Sequence, residues 1–111
     1  MPNNINEEIN KFVQEVKKIL GKRLKKIILY GSYARGDYHK NSDVDIMLLT
    51  DLNDEEIVKY RQKIWDYVAD VEIDKEIVIN PLLKNIDTFN SWSDAMPFYN
   101  NIIKEGVVIN G

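Results

Sequence analysis

Between Val44 and Thr50 the chain reads VDIMLLT, and beyond Asp45 the run is apolar at every position up to Leu49. A strand points successive side chains to opposite faces, so an apolar run without alternation needs cover on both sides. The run therefore predicts an inner strand of a sheet packed between helices. Two acids, Asp43 and Asp45, stand one residue apart at its start. On an extended strand such residues share a face, about 6.5–7 Å apart. Carboxylates placed this way against an apolar interior lose hydration and repel each other unless a cation joins them.

The segments around this run supply the other layers. Ile9, Phe12, Val13, Val16, Ile19 and Leu20 follow helical spacing, and Gly21 is a natural stop. LKKIILY before Gly31 has the β-branched and aromatic content of a strand. The stretch NDEEIVKYRQKIWDYVAD predicts a helix with acids in its first turn and Ile57, Val58, Ile64, Trp65, Val68 and Ala69 on its apolar side. KEIVINPLL reads as a third strand, with Pro81 marking an unpaired or bulged edge. DTFNSWSD predicts a short helical turn, MPFYNNIIKEG a helix that starts near Pro97 and stops at Gly106, and VVIN a last short strand. The expected fold is α/β (α+β): a small mixed sheet with helices packed against it, as one domain over residues 1–111.

Composition removes several classes. The chain has no cysteine, which excludes disulfides and thiolate metal sites. Its net charge of −3 lacks the basic excess of a general nucleic-acid binder, so no direct nucleic-acid partner is expected. The first residues carry no basic segment followed by an apolar one, and no run approaches the roughly 20 apolar residues of a membrane span. A cytoplasmic protein is the expectation.

The cation that Asp43 and Asp45 call for is best matched by Mg²⁺, which takes one or two carboxylates and completes its shell with water and phosphate oxygens. Gly31 and Ser32 supply the other half. A residue without Cβ lets the backbone turn and approach a ligand, and Ser32 offers a hydroxyl and an N–H to an anion. Arg35 could hold a phosphate in bidentate fashion. A nucleoside triphosphate lying between this bend and the aspartates would bring the metal with it.

Gly31-Ser32, ten intervening residues, and then Asp43-Val44-Asp45 resemble the signature of the minimal nucleotidyltransferases of the polymerase-β superfamily. GSYARG, NSDVDI and the carboxy-terminal part from Asn80 extend the resemblance over nearly the whole chain. Members of this group are similar to the antitoxin half of bacterial pairs whose partner is a HEPN-type ribonuclease toxin. The resemblance implies transfer of AMP from ATP to a tyrosine of that toxin. It also implies that Gly31 and Ser32 hold the ATP phosphates, Arg35 contacts them, and Asp43 and Asp45 bind Mg²⁺. The family adds a third carboxylate from the neighbouring strand. Here Glu76 is the first candidate, as a strand residue sharing a face with Val78 and Asn80, and Asp74 in the preceding turn is the second.

Two other functions remain open at this stage. One is a binding module that neutralises its toxin by occlusion, with weak or no catalysis. The other is nucleotidyl transfer to a small molecule such as an aminoglycoside, which usually wants a further substrate domain. Among the remaining residues, Trp65 reads as core, and Trp92, Phe98 and Tyr99 as packing of the tail rather than a nucleobase cage. Tyr33 and Tyr38 could stack on a base or meet a partner, and His39 reads as a solvated loop residue. Lys22, Arg23, Lys25 and Lys26 could meet an acidic toxin surface.

Overall fold

The computed structural model of the chain describes residues 3–38 and 43–109. His39 lies outside these residues. Helix α1 (Asn3–Leu20) leads through a single 3₁₀ turn (Gly21–Arg23) into strand β1 (Leu24–Tyr30). A four-residue helix α2 (Ser32–Arg35) follows, then β2 (Val44–Thr50), α3 (Asp54–Lys75), β3 (Ile79–Asn85), α4 (Ile86–Trp92), α5 (Pro97–Glu105) and β4 (Val107–Ile109). The sheet order is β3-β2-β1-β4. β1 is antiparallel to both β2 and β4, whereas β2 and β3 run parallel through the α3 crossover. The mixed sheet and the inner position of β2 agree with the reading of VDIMLLT. Pro81 sits on β3, an edge strand, where its missing N–H costs no ladder bond.

The two faces of the sheet explain why β2 is apolar throughout. Ile27, Leu29, Val44, Ile46 and Leu48 join a core with Phe12 and Val16 of α1 and Ile64 and Val68 of α3. Ile28, Tyr30, Met47 and Leu49 face the other way, against Phe89 of α4 and Ile102 of α5. By strand alternation Asp45 shares the second face with Met47 and Leu49. Its carboxylate therefore belongs to the α4–α5 side.

Helix α3 departs from expectation at both its face and its end. Its start is as read: Asn53 caps it, accepting from the Glu56 N–H at 2.9 Å while Glu56 accepts from the Asn53 N–H at 3.1 Å. The buried stripe, however, is Ile57, Ile64, Val68 and Val71. Trp65 and Ala69 each follow a stripe residue by one position, a rotation of about 100°. Trp65 is accordingly 41% exposed and not core, and Val58 is exposed as well. Ile64→Ala is expected to cost about 2–5 kcal/mol in urea denaturation, against under about 1 kcal/mol for Trp65→Gln.

No glycine or proline interrupts ADVEIDK, and Val71 still reaches the core, so α3 continues to Lys75. Glu76 is its exposed C-cap, left-handed at φ 57°, with its N–H donating to the Glu72 carbonyl at 3.0 Å. The third strand begins only at Ile79. Glu76 is thus not a strand residue beside Val78 and Asn80, and Asp74 lies in the last turn of a helix rather than in a turn before a strand.

Candidate active site

β1 ends at Tyr30, and the chain reverses through Gly31 at φ 76°, ψ −156°, a region essentially closed to residues with a side chain. The reason is local crowding as well as backbone. A Cβ on Gly31 would land on Asp45 Oδ2 of the neighbouring strand. Tyr30 and Asp45 are cross-strand partners, so the bend is held directly beside the acid. This is the apposition that the spacing of Gly31-Ser32 and Asp43-Val44-Asp45 suggested.

Asp45 is half-buried, and its Oδ1 accepts from Asn80 Nδ2 at 3.2 Å. Burial raises its proton affinity above the ordinary aspartate range; the Asn80 hydrogen bond opposes this, the Asp43 charge adds to it, and Arg35 opposes it. Burial and the nearby Asp45 charge together push Tyr30 up to about 12, so its hydroxyl remains protonated. Asp43 lies just before β2 and is exposed, while the Val44 N–H beside it is fixed to the Val78 carbonyl at 2.9 Å.

Among the described residues no third His, Cys, Asp or Glu joins the pair in a metal cage. Asn80, paired with Asp45 in the parallel β2–β3 register, is the polar residue that the neighbouring strand sets beside Asp45, in place of Glu76 or Asp74. An amide there fixes Asp45 by a neutral hydrogen bond. Sequence reasoning passed over Asn80 because its place opposite Asp45 depends on a register between distant strands.

Ser32 opens α2, a helix too short for a significant dipole, so anion contacts at the bend rest on free N–H groups, the Ser32 hydroxyl and Arg35. Arg35 Nε lies 3.2 Å from Asp37 Oδ2 and its Nη1 3.5 Å from Glu105 Oε2, on exposed ground. Gly31, Ser32, Arg35 and Asp45 share one cleft of about 380 Å³ with Tyr30, Phe98, Asn101, Ile102 and Glu105. Tyr33 and Tyr38 stack on each other, centroids 4.7 Å apart, with Tyr33 buried against the α1–α3 core. Of the basic cluster, Arg23 bonds Glu56 at 2.9 Å and also Asp51, and Lys25 reaches Asp51 at 3.6 Å. Those two charges are engaged within the chain.

The donor set fits a hard cation carrying phosphates. Asp45 Oδ2 faces a glycine rather than a side chain, Asp43 stands exposed two positions before it, and Arg35 lines the same cleft as Asp45. The structure is thus an α/β domain whose sheet presents Asp45 opposite a glycine-serine bend.

Comparison with known proteins gives the class. The family model described as a nucleotidyltransferase domain matches residues 9–108, and the chain belongs to that family. A Methanocaldococcus jannaschii protein, provisionally named a protein adenylyltransferase, is 37% identical over 114 residues, spanning 95% of this chain and 99% of the relative. A toxin–antitoxin crystal structure with AMP-PNP shares the fold at a TM-score of 0.56 and 19% identity, covering 91% of this chain and 72% of that one. A crystal structure of the toxin–antitoxin MntA–HpeT, carrying glutamates for two aspartates one residue apart, gives 0.52 at 19% identity, covering 88% and 71%. Among the described residues no helix is long and apolar enough to cross a membrane.

Proposed function

We propose that this nucleotidyltransferase transfers AMP from ATP to a hydroxyl of a partner protein, a tyrosine of a HEPN-type toxin, and thereby acts as its antitoxin. The observation that carries the reading is the contact geometry of Gly31 with Asp45, a glycine-serine bend set directly against a strand carboxylate. Support for a protein acceptor comes from the similarity to the archaeal protein provisionally named an adenylyltransferase and from the toxin–antitoxin fold neighbours.

In this reading Asp43 and Asp45 hold Mg²⁺, and Asn80 keeps Asp45 in place. Mg²⁺, when bound, neutralises charge on the phosphate oxygens and lowers the barrier to substitution at phosphorus. Ser32 and the backbone at the bend hold the phosphate tail, and Arg35 exchanges Asp37 and Glu105 for phosphate oxygens. The acceptor oxygen attacks the α-phosphorus, the bond to the β-phosphate opens, and pyrophosphate leaves. The hydroxyl proton passes to water at the open mouth of the cleft. Positioning and charge neutralisation supply most of the rate.

A second reading is favoured by one observation, that the neighbouring strand sets the amide of Asn80, and neither Glu76 nor Asp74, beside Asp45. It is a nucleotide-holding antitoxin that acts by occlusion. Incubation with ATP, Mg²⁺ and the product of the adjacent gene, followed by intact-mass measurement, separates the two. The transfer reading expects an AMP adduct on a partner tyrosine together with loss of toxin activity. Toxin inhibition without an adduct would establish occlusion instead.

A further inference from the structure

The cleft has two unlike walls. One is Gly31, Ser32, Arg35 and Asp45, suited to phosphate and metal; the other comes from α5, as Phe98, Asn101, Ile102 and Glu105. Phe98, Asn101 and Glu105 are spaced i, i+3, i+7 and share a helix face. Ile102 beside them is buried with Ile28 and Phe89, which anchors α5 to the sheet.

Phe98 is only partly packed. It is 47% exposed, yet its ring is fixed edge-on to Tyr30 (centroids 5.9 Å, 85°) and tilted against Tyr99 (5.8 Å, 48°). An aromatic ring left open to water but held by two others is a preorganised stacking surface, and purines stack on such surfaces without regard to sequence context. Because this ring lines the same concavity as the acids and the bend, a ligand filling that concavity needs a flat aromatic end and an anionic end. A nucleotide has both.

We propose that the Phe98–Asn101 stripe of α5 is the nucleobase subsite, with Phe98 as stacking platform and Asn101 as the group that reads the base edge. The proposal rests on the nucleotide reading above. A side-chain amide carries a donor and an acceptor, which match the adjacent N7 acceptor and N6 donor of adenine; guanine offers two acceptors there and satisfies only the donor. The subsite therefore selects adenine over guanine.

Calorimetric titration of the full chain in Mg²⁺ with ATP, GTP and inorganic tripolyphosphate tests this. Phe98→Ala is expected to weaken ATP by about tenfold or more with tripolyphosphate unchanged, and Phe98→Trp to retain ATP affinity. Asn101→Ala is expected to erase the preference for ATP over GTP. Equal losses for ATP and tripolyphosphate in Phe98→Ala would overturn the subsite, as would unchanged ATP affinity with a raised KM for the acceptor protein, which would assign Phe98 to the acceptor. Wild-type protein that binds ATP no better than tripolyphosphate also contradicts the subsite while leaving phosphate binding intact. Failure of the wild type to bind either probe would overturn the nucleotide reading itself and the subsite with it.

Discussion

Asp45→Asn is expected to reduce AMP transfer by about 10³-fold or more, and to raise the melting temperature of the ligand-free chain by a few degrees. The loss follows from removing the acid that faces the glycine-serine bend, since electrostatic stabilisation of a phosphoryl transition state amounts to several kcal/mol, and about 1.4 kcal/mol is tenfold in rate. The gain in stability has the opposite origin. Asp45 is a half-buried carboxylate whose charge the fold disfavours, chiefly through burial. An acid with a raised folded-state pKa binds more protons folded than unfolded between the two values, so stability falls as pH rises through that window. Above it the full cost is present. Asparagine removes the charge and can still accept the Asn80 amide hydrogen. Because water still reaches the group, about 0.5–1 kcal/mol is expected, at roughly 4–8 °C per kcal/mol for a domain near this size. Differential scanning fluorimetry at several pH values should show the variant's advantage at neutral pH and its disappearance on acidification. An Asp45→Asn protein less stable than wild type at neutral pH would mean that the charge is already compensated within the chain.

Gly31→Ala should damage fold and site together. The backbone at φ 76°, ψ −156° is strained by about 1–3 kcal/mol for any residue with a Cβ, and the new methyl must also displace the Asp45 carboxylate. Urea denaturation is expected to show a loss of about 2–3 kcal/mol, and ATP affinity in Mg²⁺ should fall at least about tenfold as Asp45 moves. Gly21→Ala is the internal standard. Gly21 also has positive φ, at 55°, but its Cβ would meet nothing within 4 Å. That variant should lose about 1 kcal/mol and keep its nucleotide affinity. Equal effects at the two positions would show that backbone strain alone governs Gly31.

The apposition of the glycine-serine bend and the head of β2 was legible in the sequence because its parts are local. A bend of Gly31-Ser32 after one apolar run, and two acids at the head of the next, become neighbours as soon as those runs pair as β1 and β2. The inner place of β2 was legible for a similar reason, as only a strand covered on both faces tolerates Ile46 to Leu49 in unbroken succession. What was missed depended on distant elements. Glu76 was read into a strand because EIVIN has β-branched residues, whereas α3 carries on to Lys75 on the strength of Val68 and Val71 against the core. Trp65 misled by one position: a helix face is narrow enough for Ile64 to be buried and its neighbour wet. Asn80 and Phe98 gained meaning only from the parallel β2–β3 register and from the seating of α5 over the sheet. The spacing of Phe98, Asn101 and Glu105 was the one available hint of a face turned to a common target.

The measurement that bears most directly on the central claim is a crystal structure of the chain grown with Mg²⁺ and a non-hydrolysable ATP analogue. It is expected to show metal density on the carboxylates of Asp43 and Asp45, with phosphate oxygens at Ser32 and Arg35. Nucleotide bound elsewhere, or an aspartate pair that takes no metal at saturating ligand, would contradict it.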